Sequence, residues 1–179
     1  MPADARGMLS RPPQAHAWGA LLLLWLLAIC ASALDTPFPA APAGWTTLPP
    51  QDGATALYAA PGGGARLSVV RAELVANETG AAFSARNLND LSRLLTDFLP
   101  SDDRDFTGTA IGSRTWQHLR YSFAIGPTPY EAMLYCTVSD GAGWCATLAA
   151  PQGSLSTYVP VLKAWLENAG TSRAVLPQR

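Results

Sequence analysis

Histidine is almost missing from this 179-residue chain: His16 and His118 are the only two, and His16 lies in a leading segment that reads as removable. General-base catalysis needs base, nucleophile and orienting group within hydrogen-bond reach. No Gly-x-Ser-x-Gly turn stands anywhere to supply a nucleophile. Lysine is scarcer still, with Lys163 alone beside the arginines, and charged residues make up only 14% of a chain of net charge −1. Without a lysine-rich run or a basic excess, nothing points to a nucleic-acid backbone. No Cys-x-x-Cys pair occurs, which removes the usual zinc and thioredoxin-type spacings. The glycines Gly62, Gly63 and Gly64 lack the Gly-Lys-Ser/Thr ending of a phosphate cradle and stand between two strand-like runs, so they read as a turn. The acidic run Asp102-Asp103-Arg104-Asp105 lacks the spacing and later Glu of a calcium loop, and Arg104 partly neutralises it; a solvated loop is expected. These absences predict no catalytic residue set, no metal and no cofactor.

What is present begins with "WGALLLLWLLAI", residues 18–29, preceded by Arg6, Arg11 and His16 and followed by "CASALD". The run is too short for a bilayer, which takes about 20 apolar residues, and has the layout of a secretory signal peptide. Ala31-Ser32-Ala33 supplies a small-x-small box, so cleavage is expected before Leu34. Asp4 is unusual so near an export signal, and a start at Met8 rather than Met1 removes it. The rival reading is a lipoprotein anchored through Cys30. Bacterial lipidation prefers Gly, Ala or Ser before the cysteine, and Ile29 stands there. The expectation is therefore a periplasmic or secreted protein, with membrane attachment only if Cys30 is lipidated. Removing residues 1–33 leaves one ordinary domain's length, enough to bury a core.

Export decides how Cys136 and Cys145 are read. Nearby thiols in an oxidising compartment usually become a disulfide. In "YCTVSDGAGWCATL" an Asp-Gly turn within Ser139 to Ala142 puts Val138 opposite Gly143, Thr137 opposite Trp144 and Cys136 opposite Cys145. Opposed residues of antiparallel strands lie about 4.5–5.5 Å apart at Cα, close enough to bridge. The pair is expected to staple a hairpin rather than to hold metal or carry redox chemistry.

Along the mature chain, residues 34–43 are a Pro/Ala-rich leader. "ATALYAAP" and "ARLSVVRAELV" form a first hairpin. In "NLNDLSRLLTDFLP" the period changes: Leu88, Leu91, Leu95 and Phe98 recur at helical spacing until Pro100, with entry possible from Gly80. "FTGTAIGSRTWQHLRYSFAIG" carries two strands broken near Gly112-Ser113. In the second, Leu119, Tyr121, Phe123 and Ile125 share one face while Arg114, Trp116, His118 and Arg120 share the other. The stapled hairpin follows. Then Leu155, Tyr158, Val159, Leu162, Trp165 and Leu166 make a helical stripe capped by Ser156 or Thr157 and ended by Gly170. Residues 171–179 form a tail. Hairpin, helix, about four strands and helix is an α+β order, an antiparallel sheet layered with helices in a single domain.

The early Gly44-Trp45, the hairpin, the amphipathic helix, the Gly-centred pair "GTAIGSRTWQHLRYSF", the Tyr-rich "YEAMLYCTV" and the closing helix together resemble the PsbP-like superfamily. That group includes the lumenal photosystem II extrinsic protein and the DcrB-like exported bacterial proteins. The resemblance spans Gly44 to Ala169 within a domain of residues 44–170, and it carries over no functional residue. It implies a layered antiparallel sheet and a non-enzymatic accessory or binding role. The expected function is thus an exported, non-catalytic module that meets a protein or envelope component. The alternatives are an inhibitor or immunity protein that plugs an enzyme with "SDDRD" or "SDGAG", and a hydrolase. Arg114, Trp116, His118 and Arg120 are the candidate binding surface, because Arg and Trp concentrate binding energy at interfaces; the alternative is that a helix of the layered fold covers this face and Trp116 is core. His118 is expected to be an exposed or structurally bonded histidine.

Overall fold

The computed structural model describes residues 38, 40–51, 53–101 and 106–169. The expected signal segment 1–33 with Met1, Met8 and Cys30, the run 102–105, Gly170 and the tail 171–179 lie outside the described residues.

Among the described residues there are eight strands and two α-helices, in the order β1 (Thr46–Leu48), β2 (Ala56–Ala59), β3 (Arg66–Glu73), α1 (Gly80–Leu94), β4 (Thr96–Pro100), β5 (Thr107–Ile111), β6 (Arg114–Ile125), β7 (Thr128–Ser139), β8 (Ala142–Pro151) and α2 (Leu155–Glu167). The strands form one sheet in the order β1-β2-β3-β8-β7-β6-β4, with β5 also paired to β6. Each described pairing is antiparallel. This is the α+β architecture the sequence predicts.

Tight turns set the central register. Asp140 and Gly141, both at positive φ (53° and 72°), make a two-residue turn that pairs Ser139 with Ala142 and hence Cys136 with Cys145, as expected. Gly126, at φ 57°, and Pro127 make a second two-residue turn that joins β6 to β7, so that Ile125 pairs with Thr128 and His118 with Tyr135.

Helix α1 starts at Thr79, whose hydroxyl accepts the Ala82 N–H at 3.2 Å. Just before it, Glu78 Oε2 takes a 2.7 Å hydrogen bond from Arg86 Nη2. The guanidinium's hydrogen bonds hold this carboxyl at about 2, against an ordinary 4.5. The helix is shorter than its apolar spacing predicts. Leu95 is already extended (φ −95°, ψ 134°), and Phe98 belongs to β4 rather than to the helix. A register shift between Thr96 and Leu99, with Asp97 at φ 53°, re-aims the strand so that Phe98 joins the cluster containing Leu88, Leu91 and Leu95. A helix followed by a bulged strand thus imitates one longer helical stripe. At α2 the cap is Ser154, not Ser156 or Thr157, and its Oγ donates to Pro151 O at 2.6 Å. Pro160 lies inside the helix.

Two cores result, one on each side of the sheet. The α2 side collects Leu67, Val69, Trp116, Tyr135, Trp144 and Leu148 beneath Leu155, Leu162, Trp165 and Leu166. Phe38, from the leader, is 4% exposed within it. The α1 side collects Phe83, Tyr121, Phe123, Leu134 and the two cysteines, with Leu88 and Leu91 half-buried against them. Burial raises the Tyr121 hydroxyl's pKa well above its ordinary value. At Gly143 the backbone comes so close to the Phe83 ring that a Cβ there would stand 2.4 Å from it. Among the described residues, no helix is long and apolar enough to cross a membrane.

Candidate functional site

Strand alternation places Arg114, Trp116, His118 and Arg120 on one side of β6, but they do not form one exposed surface. Trp116 is fully buried in the α2-side core, because α2 and the leader cover that end of the strand. Arg114 keeps only 16% of its side chain in solvent, and its Nη2 stands 4.0 Å from Asp140 Oδ2. Only His118 and Arg120 reach the open half of this face, so the row expected as a surface is half core and half surface. Alternation says which residues share a side; it does not say how far a helix extends over them.

His118 has partners of a structural kind. Its Nδ1 lies 2.8 Å from Thr107 O, and its ring stacks on Tyr135 with centroids 5.2 Å apart and planes 13° from parallel. A carbonyl only accepts, so Nδ1 carries the proton and Nε2 is the nitrogen left for other partners. Next along β6, Arg120 Nη2 donates to Glu131 Oε2 at 2.6 Å. Leu99, on the flanking strand β4, is 64% exposed, which is unusual for a leucine paired into a sheet. Arg120, Ser122, Glu131 and Leu99 belong to neither core. Together with His118 and Met133 they make a strip at the β4–β6–β7 end of the α2 side: apolar at Leu99 and Met133, with an ion pair and an imidazole between.

Of this strip, the sequence pattern names His118 and Arg120 and does not name Leu99, Glu131 and Met133. A signal for the β7 residues was present. With Gly126-Pro127 taken as a two-residue turn, Arg120 falls opposite Met133 and Ser122 opposite Glu131, as observed. Leu99 carries no such signal, because it falls in the apolar run before Pro100 that has helical spacing.

Cys136 and Cys145 are bridged, with Cα atoms 4.2 Å apart, and both lie buried on the α1 side, away from the strip. Among the described residues no three His, Cys, Asp or Glu side chains converge as a metal cluster.

No protein-family model matches the chain, and no curated protein matches it by sequence. Solved structures do. LpqN of Mycobacterium tuberculosis, described as involved in cell envelope biogenesis, superposes with a TM-score of 0.52 at 16% identity, over 73% of this chain and 78% of that one. The cyanobacterial PsbP of Synechocystis sp. PCC 6803 gives 0.49 at 14% identity over 72% of this chain and 82% of that one. PA94 of Pseudomonas aeruginosa, described as a protein of unknown function and putative regulator, gives 0.48 at 16% identity over 75% and 82%. The chain shares its fold with LpqN. At these identities the likeness concerns fold alone.

Proposed function

We propose that this is an exported, non-catalytic binding or accessory protein of the cell envelope, which meets a protein partner or envelope component through the strip formed by Leu99, His118, Arg120, Glu131 and Met133. The observation that carries this reading is that Leu99 is held 64% exposed beside Arg120, Ser122 and Glu131, which belong to neither core, at the edge where Met133 packs against the α2-side core. An apolar side chain displayed next to arginine and aromatic groups has the composition of an interface centre. Export is supported by the buried disulfide, a bond that persists in oxidising compartments. The structural likeness to LpqN supports an envelope setting. His118 has an acceptor-only carbonyl and an aromatic ring as its partners, an arrangement that orients an imidazole for contact.

The test is site-specific photocrosslinking in cells. A photoreactive residue at Leu99 is expected to give one discrete adduct that weakens when Arg120→Glu is added, while the same group at Pro61, on the exposed turn between β2 and β3, gives none. Equal adducts from both positions, or an adduct at Leu99 indifferent to Arg120, would show that the strip is ordinary surface.

A further inference from the structure

The α2-side core contains an anomaly the strip does not use. Phe38 sits in a basin of three indoles, with its ring centroid 5.0 Å from Trp165, 5.6 Å from Trp144 and 6.0 Å from Trp116. Trp165 Nε1 donates to Ala40 O at 2.8 Å, which ties the leader down as a strap. The other two indoles are not served in this way. Trp116 Nε1 and Trp144 Nε1 are buried without a hydrogen-bond partner, in side chains that are 0% and 3% exposed. Arg114 Nη1, two residues from Trp116 on the same side of β6, is buried and unpartnered as well.

Orphaned buried donors are rare and costly, and here three occur in one neighbourhood, one of them on a cation. The Phe38 side chain supplies an apolar ring that fits between the indoles and carries no hydrogen-bond acceptor of its own. A group of the same shape that also carried an oxyanion would meet the aromatic walls and the N–H groups together, and the guanidinium would add a charge-assisted bond. We propose that the indole basin under Phe38 is a binding site for a small carboxylate with an apolar body, and that the strap competes with this ligand for it. The site is separate from the strip and does not rest on its role.

3-Phenylpropionate, a phenyl ring bearing a carboxylate, is the probe, and ethylbenzene is its neutral counterpart. Binding to the full chain is read from tryptophan fluorescence. Phe38→Ala is expected to bind 3-phenylpropionate at least about tenfold more tightly than the unaltered chain, because the competitor is gone. Adding Arg114→Gln to Phe38→Ala is expected to weaken 3-phenylpropionate by about tenfold or more and to leave ethylbenzene unchanged. If Phe38→Ala takes up both probes with no dependence on Arg114, the basin is only an apolar hole and the proposal fails. It fails equally if neither probe binds. Should Phe38→Ala not fold, hydrogen exchange on the unaltered chain decides. The Trp45 N–H, bonded to Pro42 O at 2.9 Å within the strap, is expected to exchange faster with 3-phenylpropionate present, and an unchanged rate overturns the competition.

Discussion

On the α2 side of the sheet, Leu155, Leu162, Trp165 and Leu166 are each no more than 5% exposed, whereas on the α1 side the helix buries only Phe83 and Ser84 fully and leaves Leu88 and Leu91 half in solvent. The two sides achieve closure differently. Under α2, small residues such as Ala60, Ala65, Ala146 and Ala150 leave room for three tryptophans, and Phe38 closes the remaining space. Under α1 the side chains are fewer and are supplemented by a covalent bridge and by the contact of Phe83 with Gly143. The difference teaches that equally clear apolar stripes in sequence do not imply equal burial, because burial depends on what the sheet offers opposite each stripe.

The strongest way to break this comparison is to truncate both helices. Trp165→Ala is expected to cost about 3–5 kcal/mol and Leu162→Ala about 2–5 kcal/mol in urea unfolding. Leu91→Ala should cost only about 1–2 kcal/mol, since part of its side chain is already hydrated. Equal losses at Leu162 and Leu91 would mean that the two sides are built alike.

Removing the bridge comes next. Cys136→Ser with Cys145→Ser closes no loop in the unfolded chain, and the loop-entropy relation gives a loss of about 2–3 kcal/mol. The same variant should still give the Leu99 photoadduct at temperatures where it is folded, since the bridge lies on the far side from the strip. Lost stability together with a lost adduct would tie the staple to binding.

Gly143→Ala sharpens the α1 side. The added methyl meets the Phe83 ring, and overpacking of this kind costs about 1–3 kcal/mol. Phe83→Leu in the same chain should recover part of that loss, while a penalty indifferent to Phe83 would place the strain in the strand itself.

The smallest effect concerns pH. Glu78 is depressed to about 2 by Arg86 from an ordinary 4.5. A carboxyl with a lowered folded-state pKa contributes stability that is fully present above its unfolded value and is lost as pH falls through the folded one. The ion pair should therefore stabilise the start of α1 above about pH 4.5 and release it progressively toward pH 2. Carbon NMR of the Glu78 carboxyl checks the midpoint, and Glu78→Gln should flatten this part of the acid limb. A midpoint at the ordinary value would show that the pair does not persist in solution.

Much of the central sheet was legible because its information is local. The Asp140-Gly141 turn carries the Cys136–Cys145 register, and the strict alternation of β6 assigns Tyr121 and Phe123 to one side and Trp116 to the other. The α2 stripe was legible for the same reason, since Leu155, Leu162 and Leu166 recur at the helical period. What misled was a coincidence of spacing: Leu95 and Phe98 continue the α1 pattern although the backbone has already turned to pair with β6. Whether Trp116 is surface or core stays open in the sequence, because coverage by α2 is a long-range event.

The chain's own order of residues determined the hairpin registers, the cysteine pairing, the amphipathic segments and the side of the strand on which each β6 residue stands, all consequences of backbone geometry acting over a few residues. Tertiary structure alone decided that the helices lie on opposite sides, that Trp116 is covered while Arg120 is not, and that Phe38 from a Pro/Ala-rich leader becomes part of a core 125 residues away through the neighbouring Ala40–Trp165 hydrogen bond. The physical reason is that periodicity is a property of one segment, whereas burial is a property of two surfaces meeting. No single segment carries a record of its partner.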